Sequence, residues 1–179
     1  MRRILGGDAG DISAAVASVK MGTTVATNAL LELKGARTLF LVSQGFADVL
    51  TIGDQTRPDI FALKIERAAP LPDRTAEIAG RIAADGSEVE PLDEEAARLA
   101  LQQARQGGMD SVAIALINSY ANNTHETRLS ELAAEAGFEH VTCSSDASPL
   151  IRFVPRASTA VIDAYLQPVL RGYVARVDA

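Results

Sequence analysis

The sequence predicts an α/β domain, a mixed and partly parallel sheet covered by helices. Three observations carry that class. Two unbroken apolar runs, Thr38-Leu39-Phe40-Leu41-Val42 and Val112-Ala113-Ile114-Ala115-Leu116-Ile117, suit strands buried on both faces. Segments with helical spacing lie between and after these runs, and alternation of strands with helices favours parallel pairing. The composition is ordinary for a globular chain: 179 residues, 47% apolar and 22% charged.

Each element follows from local chemistry. Residues 1–12 are rich in Gly and Asp and are expected to fray. Ile12 to Val19 reads as a short helix leading into a strand near Ala17–Met21. Val25 to Lys34 reads as a helix that Gly35 stops. After the first buried strand, Gln44-Gly45-Phe46 turns the chain and Ala47–Ile52 forms a short helix. Gly53 to Pro91 reads as an irregular connection punctuated by Pro58, Pro70, Pro72 and Pro91. It holds short strands at Ile78–Ile82 and Glu88–Glu90, joined by a tight turn at Ala84-Asp85-Gly86.

Asp93 caps the next helix, with Ala96 at its third position, and Ala97, Leu99, Leu101 and Ala104 recur at helical spacing before Gly107-Gly108 ends it. After the second buried strand, Asn123 caps another helix, and Glu126 sits three residues on as in a capping box. Leu129, Leu132, Ala133 and Ala136 form its apolar stripe, Gly137 ends it, and Val141–Cys143 is a further strand. Ser158 to about Val177 is helical in pattern, and Pro168 is expected to kink or break it. There is no internal repeat, so residues 1–179 read as a single domain.

Charge and composition exclude several functions. With 17 basic and 23 acidic residues the net charge is −6, and Arg2-Arg3 is the only basic doublet, so no nucleic-acid partner is expected. No stretch approaches the roughly 18 apolar residues of a membrane span. A single cysteine forms no intrachain disulfide and the N-terminus lacks a signal-peptide core, which together point to the cytoplasm.

The sharpest local feature is Met21-Gly22-Thr23-Thr24-Val25-Ala26-Thr27-Asn28. Two readings stand. One of the threonines simply caps the helix, or Gly22, Thr23, Thr24, Thr27 and Asn28 cradle an anion at a helix N-terminus, where unpaired N–H groups carry partial positive charge. Arg57, in the polar loop Gln55-Thr56-Arg57-Pro58-Asp59, either clamps a carboxylate or phosphate or pairs with Asp59 on the surface. His125, starting a helix, is an acid, base or ligand candidate, or an idle first-turn histidine. Cys143 reads as a small core residue, not a nucleophile, and two histidines with one cysteine make no zinc site.

The residues also carry a resemblance. Gly22-Thr23-Thr24-Val25-Ala26-Thr27-Asn28-Ala29-Leu30-Leu31-Glu32 and Lys34-Gly35-Ala36-Arg37-Thr38 resemble the N-terminal region of the hydantoinase A / 5-oxoprolinase family. So do Gly45-Phe46-Ala47-Asp48-Val49-Leu50, Ile52-Gly53-Asp54-Gln55-Thr56-Arg57-Pro58-Asp59, Ser119-Tyr120-Ala121-Asn122 with His125-Glu126, and Ala164-Tyr165-Leu166-Gln167-Pro168-Val169.

The resemblance implies an incomplete actin-like, ribonuclease-H-like ATPase lobe. It implies ATP-dependent opening of a small cyclic amide, a hydantoin or 5-oxoproline, through phosphorylation of the amide oxygen. ATP and Mg²⁺ would serve the longer parent protein, with the second lobe or a hydantoinase B-like subunit as partner. Family members carry an Asp-x-Gly-Gly-Thr strand before this region and a further lobe after it, so the chain alone is expected to be inactive and to bind no nucleotide tightly. Met21 stands where members have histidine, and Val154 and Pro155 where they have Tyr-Glu. By this resemblance Arg156 and His125 are the catalytic candidates. A subunit of an ATP-dependent ketone carboxylase, or a non-catalytic module that self-associates or docks, is the alternative.

Overall fold

The computed structural model describes residues 22–54 and 69–177. The helix and strand expected between Ile12 and Met21 lie outside these residues, as does the loop that carries Arg57. The chain begins with α1 (Val25–Leu31), β1 (Thr38–Ser43), α2 (Val49–Ile52) and β2 (Arg74–Ile78). A small hairpin, β3 (Arg81–Ile82) and β4 (Glu88–Glu90), precedes α3 (Glu94–Gln106) and β5 (Ser111–Ala115). Then come α4 (Thr124–Glu135), β6 (His140–Cys143), α5 (Ser144–Ala147) and α6 (Phe153–Val177).

The main sheet has the order β2-β1-β5-β6 and every pair in it is parallel. Only the β3–β4 hairpin is antiparallel. Helices cover both faces of the sheet. On one face Leu39, Leu41, Val112, Ile114 and Ile78 pack against α3 and α4 through Ala97, Leu101, Ala104, Leu129 and Leu132. On the other, Phe40, Val42, Ala113 and Ala115 meet Ala157, Val161 and Ala164 of α6, and Val49 of α2. Alternate residues along β1 and β5 therefore feed opposite cores, the two-sided burial expected of the apolar runs. Small side chains on both partners let α6 lie close to β5.

Three local expectations are corrected. The strand read over Ile78–Ile82 divides: Arg74–Ile78 joins the main sheet as an edge strand beside β1, and Arg81–Ile82 belongs to the hairpin. Leu99 is not part of the buried stripe of α3 and is 56% exposed, while Ala100 takes the inward position. Gly35 does not end the first helix. Its end is built on Leu33, at φ 52°, with Lys34 N–H donating to Ala29 O at 2.8 Å. Gly35 has another reason to be glycine, because a Cβ there would overlap the Tyr165 ring.

Pro168 was expected to interrupt the last helix, yet α6 runs through it. A proline cannot donate to the carbonyl four residues back, which leaves Ala164 O free. Ser111 Oγ donates to that carbonyl at 2.9 Å, and Ala36 N–H donates to the neighbouring Tyr165 O at 2.8 Å. Ser111 of β5 thus supplies the one donor that Pro168 removes, and Ala36 ties the next carbonyl to the segment before β1.

The other helix ends follow the sequence. Asp93 Oδ1 accepts from Ala96 N–H at 2.9 Å, and Gly108 and Gly137 take positive φ where α3 and α4 close. Glu94 ties these two helices together, accepting from Arg128 Nε at 2.8 Å and Nη2 at 3.0 Å. The Arg128 guanidinium, with Arg98 behind it, holds the Glu94 carboxyl down to about 2.

Candidate functional site

In an open parallel sheet, the connections leave adjacent strands in opposite directions at one point, and a crevice forms beyond the strands' carboxyl ends there. Here β1 connects to β2 on one side while β5 connects to β6 on the other. The crevice therefore lies between Gln44-Gly45-Phe46, after β1, and Leu116–Tyr120, after β5. Ser43 Oγ bridges the two strand ends by accepting from Ile117 N–H at 2.9 Å. A cavity of about 610 Å³ opens beside it, walled by Gly45, Phe46, Val49, Ile52, Glu77 and Val154.

Aromatic rings and guanidinium groups alternate across this edge. Phe46 meets Phe153 edge-to-face at 5.3 Å between ring centroids. The Arg81 guanidinium lies 5.8 Å above Phe46, and that of Arg156 lies 5.5 Å above Phe153 and 6.0 Å from the Tyr120 ring. The loop after β1 is itself held by Glu77, whose Oε1 accepts from Gly45 N–H at 2.8 Å and Ala47 N–H at 3.0 Å.

Arg156 and its neighbour in space, Glu126, are both fully buried under this edge. Their side chains approach to 3.6 Å. Arg156 Nη1 donates to Ser119 Oγ and to Ser144 Oγ (2.8 Å), and Nη2 donates to Leu116 O at 2.9 Å. Glu126 accepts from Leu116 N–H (2.8 Å), Ser144 Oγ (2.6 Å), and Ser145 N–H and Oγ (2.9 and 2.8 Å). Burial pulls the Arg156 guanidinium below its ordinary range, and the Glu126 carboxylate beside it opposes that pull. The network joins β5, α4, α5 and α6 where the strands end. Glu126 consequently makes no capping box, and Asn122 Oδ1 accepts from Thr124 N–H at 3.1 Å at that helix start.

His125, expected as an exposed first-turn residue or a substrate contact, is 6% exposed, and its Nε2 lies 2.6 Å from Glu88 Oε1 on the hairpin. Asn118 and Asn122 donate to Ile82 O (2.9 Å) and Gly86 O (2.8 Å). The polar residues between 118 and 126 thus hold the hairpin against the sheet's carboxyl edge.

Gly22, Thr23, Thr24, Thr27 and Asn28 are exposed and stand apart from this site. Thr23 Oγ1 accepts from Val25 N–H at 3.2 Å, and Asn28 Nδ2 lies 3.5 Å from Thr24 Oγ1. The opposite side of α1 packs through Ala29 against Tyr165 and Leu166. Those residues lie nine or ten positions beyond Arg156, which is roughly 14 Å along the helix. The structure brings His125 and Arg156 to one edge and does not bring the Gly22–Asn28 block to them.

Cys143 is buried, and burial, reinforced by Glu126 and Asp146, pushes its thiol up to about 12. That is the inert core cysteine expected. Sequence spacing gave no signal for Ser119, Ser144, Glu77 or Arg81, because their partners are remote in the chain. Among the described residues no three His, Cys, Asp or Glu side chains converge to hold a metal. These residues do not fit a Mg²⁺ site.

Residues 3–137 match the family model described as the hydantoinase/oxoprolinase N-terminal region. The chain is 39% identical over 191 aligned positions to the 5-oxoprolinase of Saccharomyces cerevisiae, which covers 92% of this chain and 15% of that protein. It is 37% identical to the caprolactamase subunit alpha of Pseudomonas jessenii, over 88% of this chain and 23% of that one. Among solved structures, the ATP-dependent caprolactamase of Pseudomonas jessenii superposes with a TM-score of 0.86 at 33% identity, over 99% of this chain and 26% of that chain. The nucleotide-free acetone carboxylase superposes with a TM-score of 0.74 at 23% identity, a likeness of fold. The chain therefore spans about a quarter or less of the length of these relatives.

Proposed function

The chain belongs to the hydantoinase/oxoprolinase family, and from that premise we propose that it forms part of an ATP-dependent hydrolase of small cyclic amides. The observation that carries this reading is the match to the ATP-dependent caprolactamase over 99% of the chain at 33% identity. The reaction consumes one lactam or hydantoin, one ATP and two waters. The amide oxygen takes the γ-phosphoryl group and ADP leaves, a first water adds to the now electrophilic carbon, the ring C–N bond breaks with the nitrogen taking a proton, and a second water cleaves the resulting acyl phosphate to carboxylate and phosphate.

This chain would supply the carboxyl-edge wall at which the ring lies. We assign Arg156 and His125 the positioning of that wall, Arg156 through the buried pair with Glu126 and His125 through Glu88. The Gly22–Asn28 block would face the remainder of the whole protein, and Arg57 is kept as a candidate for substrate contact. A hydantoinase B-like subunit is the partner expected, in the cytoplasm.

Domain replacement tests the reading. Residues 1–179 would replace the matching region of the Pseudomonas jessenii caprolactamase subunit alpha. ADP release that depends on caprolactam, 5-oxoproline or hydantoin is the expected outcome. A soluble chimera that releases ADP only with acetone, or with no added substrate, overturns it.

A further inference from the structure

We propose that the amino end of the sheet carries a second binding site, one for a small apolar α-amino acid held as its zwitterion. It is separate from the cavity at the carboxyl edge and does not depend on the lactam-hydrolase reading. A cavity of about 520 Å³ opens there, a size ordinary for small-molecule sites. It wraps the starts of β5 and β6, which lie side by side because Ser111 pairs with His140. The six residues of β1 separate it from the carboxyl edge, roughly 17 Å by the rise of a strand.

The wall offers groups for both charges of a zwitterion. Arg105, in the last turn of α3, rests over the Phe138 ring at 5.1 Å and donates through Nη1 to Met109 O at 3.1 Å. Its Nε and Nη2 engage no acceptor among the described residues. That is the edge Arg128 offers to Glu94, and it matches a carboxylate with two parallel bonds. Asp110 Oδ1 stays 3.9 Å from the Arg105 guanidinium, too far for a hydrogen bond, and Glu139 has no partner among the described residues. These two acids stand one residue before the paired Ser111 and His140, so they begin adjacent strands and flank a place for an ammonium group.

His140 is an independent pointer to a ligand. Its Nδ1 is shut away from solvent with no hydrogen-bond partner among the described residues. A bare ring nitrogen tolerates such a place better than an orphaned N–H, which puts the proton on Nε2, a donor left to the cavity. Pro168 and Val169 of α6 form the remaining side. Pro168 has no N–H, and the carbonyls of Ala164 and Tyr165 already accept from Ser111 and Ala36, so this side presents apolar surface to a side chain. A bare carboxylate would leave Asp110 and Glu139 unanswered, and a bare amine would leave Arg105 and His140 unanswered. A zwitterion answers both.

Titration of the native chain, followed through its backbone amide NMR signals, tests the site. The probes are L-leucine, isocaproate (leucine without its amine) and isopentylamine (leucine without its carboxylate). L-leucine should bind about tenfold or more tightly than either analogue, the loss expected when one charge-assisted contact is removed, and should shift the amides of Ala36, Asp110 and His140. Arg105→Gln should weaken L-leucine and isocaproate about tenfold and leave isopentylamine unweakened. Glu139→Gln, a substitution at an exposed position, should weaken L-leucine and isopentylamine and leave isocaproate unweakened; it carries the test should Arg105→Gln not fold. Isocaproate binding as tightly as L-leucine overturns the proposal in favour of a plain anion site, and isopentylamine doing so overturns it in favour of a cation site. Shifts confined to the carboxyl edge, or binding of no probe by a folded chain, overturn the site altogether. None of these outcomes bears on the lactam-hydrolase reading, which the chimera tests.

Discussion

At the scale of single residues, the decisive object is the buried pair Glu126–Arg156. Two charges taken out of water are tolerable only because seven hydrogen bonds surround them, and losing one partner strands the other. Glu126→Gln should lower unfolding free energy by about 3–5 kcal/mol, seen as a lower urea midpoint with unchanged slope. Glu126→Leu with Arg156→Met should recover more than half of that loss, because no charge is then left unpaired. A single-variant loss below about 1 kcal/mol would show that water reaches the pair. The sequence pointed to both residues and misjudged both environments. Glu126 has the spacing of a capping box, and local spacing is blind to Leu116, Ser144 and Ser145, which reach it from other elements. Arg156 entered as a catalytic candidate by resemblance, and its burial was not legible because its serine and carbonyl partners lie far away in the chain.

Among the elements, legibility tracks how much of the stabilisation is local. Strands β1 and β5 were readable because burial on both faces leaves an apolar run with no competing pattern. Helix α3 was readable because Asp93 and Gly107-Gly108 act within one turn of its ends. Strand β2 was not: Arg-Thr-Ala-Glu-Ile is an edge strand with three exposed residues, and its pairing with β1 supplies what its sequence does not announce. Helix α6 shows the opposite failure, where a valid local rule about Pro168 was overridden from outside. Ser111 Oγ is the group that overrides it, donating to Ala164 O while pairing with Thr38 Oγ1 at 3.0 Å. Ser111→Ala should cost about 1–3 kcal/mol, since a buried carbonyl loses its donor. In a Pro168→Ala background the backbone N–H returns and the same change should cost at least about 1 kcal/mol less. Denaturant unfolding of the four members of this cycle measures the coupling, and a coupling of zero would mean that Ser111 does not repair the helix.

Over the whole molecule, the two ends of the sheet do different work. At the amino ends, Ser111, Thr38 and Ala36 lock α6 to β5 and to the start of β1. At the carboxyl ends, polar side chains hold a two-stranded hairpin that has little apolar burial of its own, Ile82 being its one buried apolar residue. Such a unit opens without the core when its few ties are cut, because local stability follows local burial and bonding. His125→Ala removes the tie to Glu88 and leaves Asn118 and Asn122 in place. Amide hydrogen exchange should therefore speed about tenfold to a hundredfold at Ala83, Gly86 and the paired amides of Arg81–Glu90, the range set by one hydrogen bond to a charged group. Exchange at Leu39–Val42 and Val112–Ala115 should stay governed by global unfolding and shift only with any change in overall stability. Uniform acceleration across hairpin and sheet would mean that the hairpin is part of one cooperative core, and His125 would then support the fold as a whole instead of the hairpin alone.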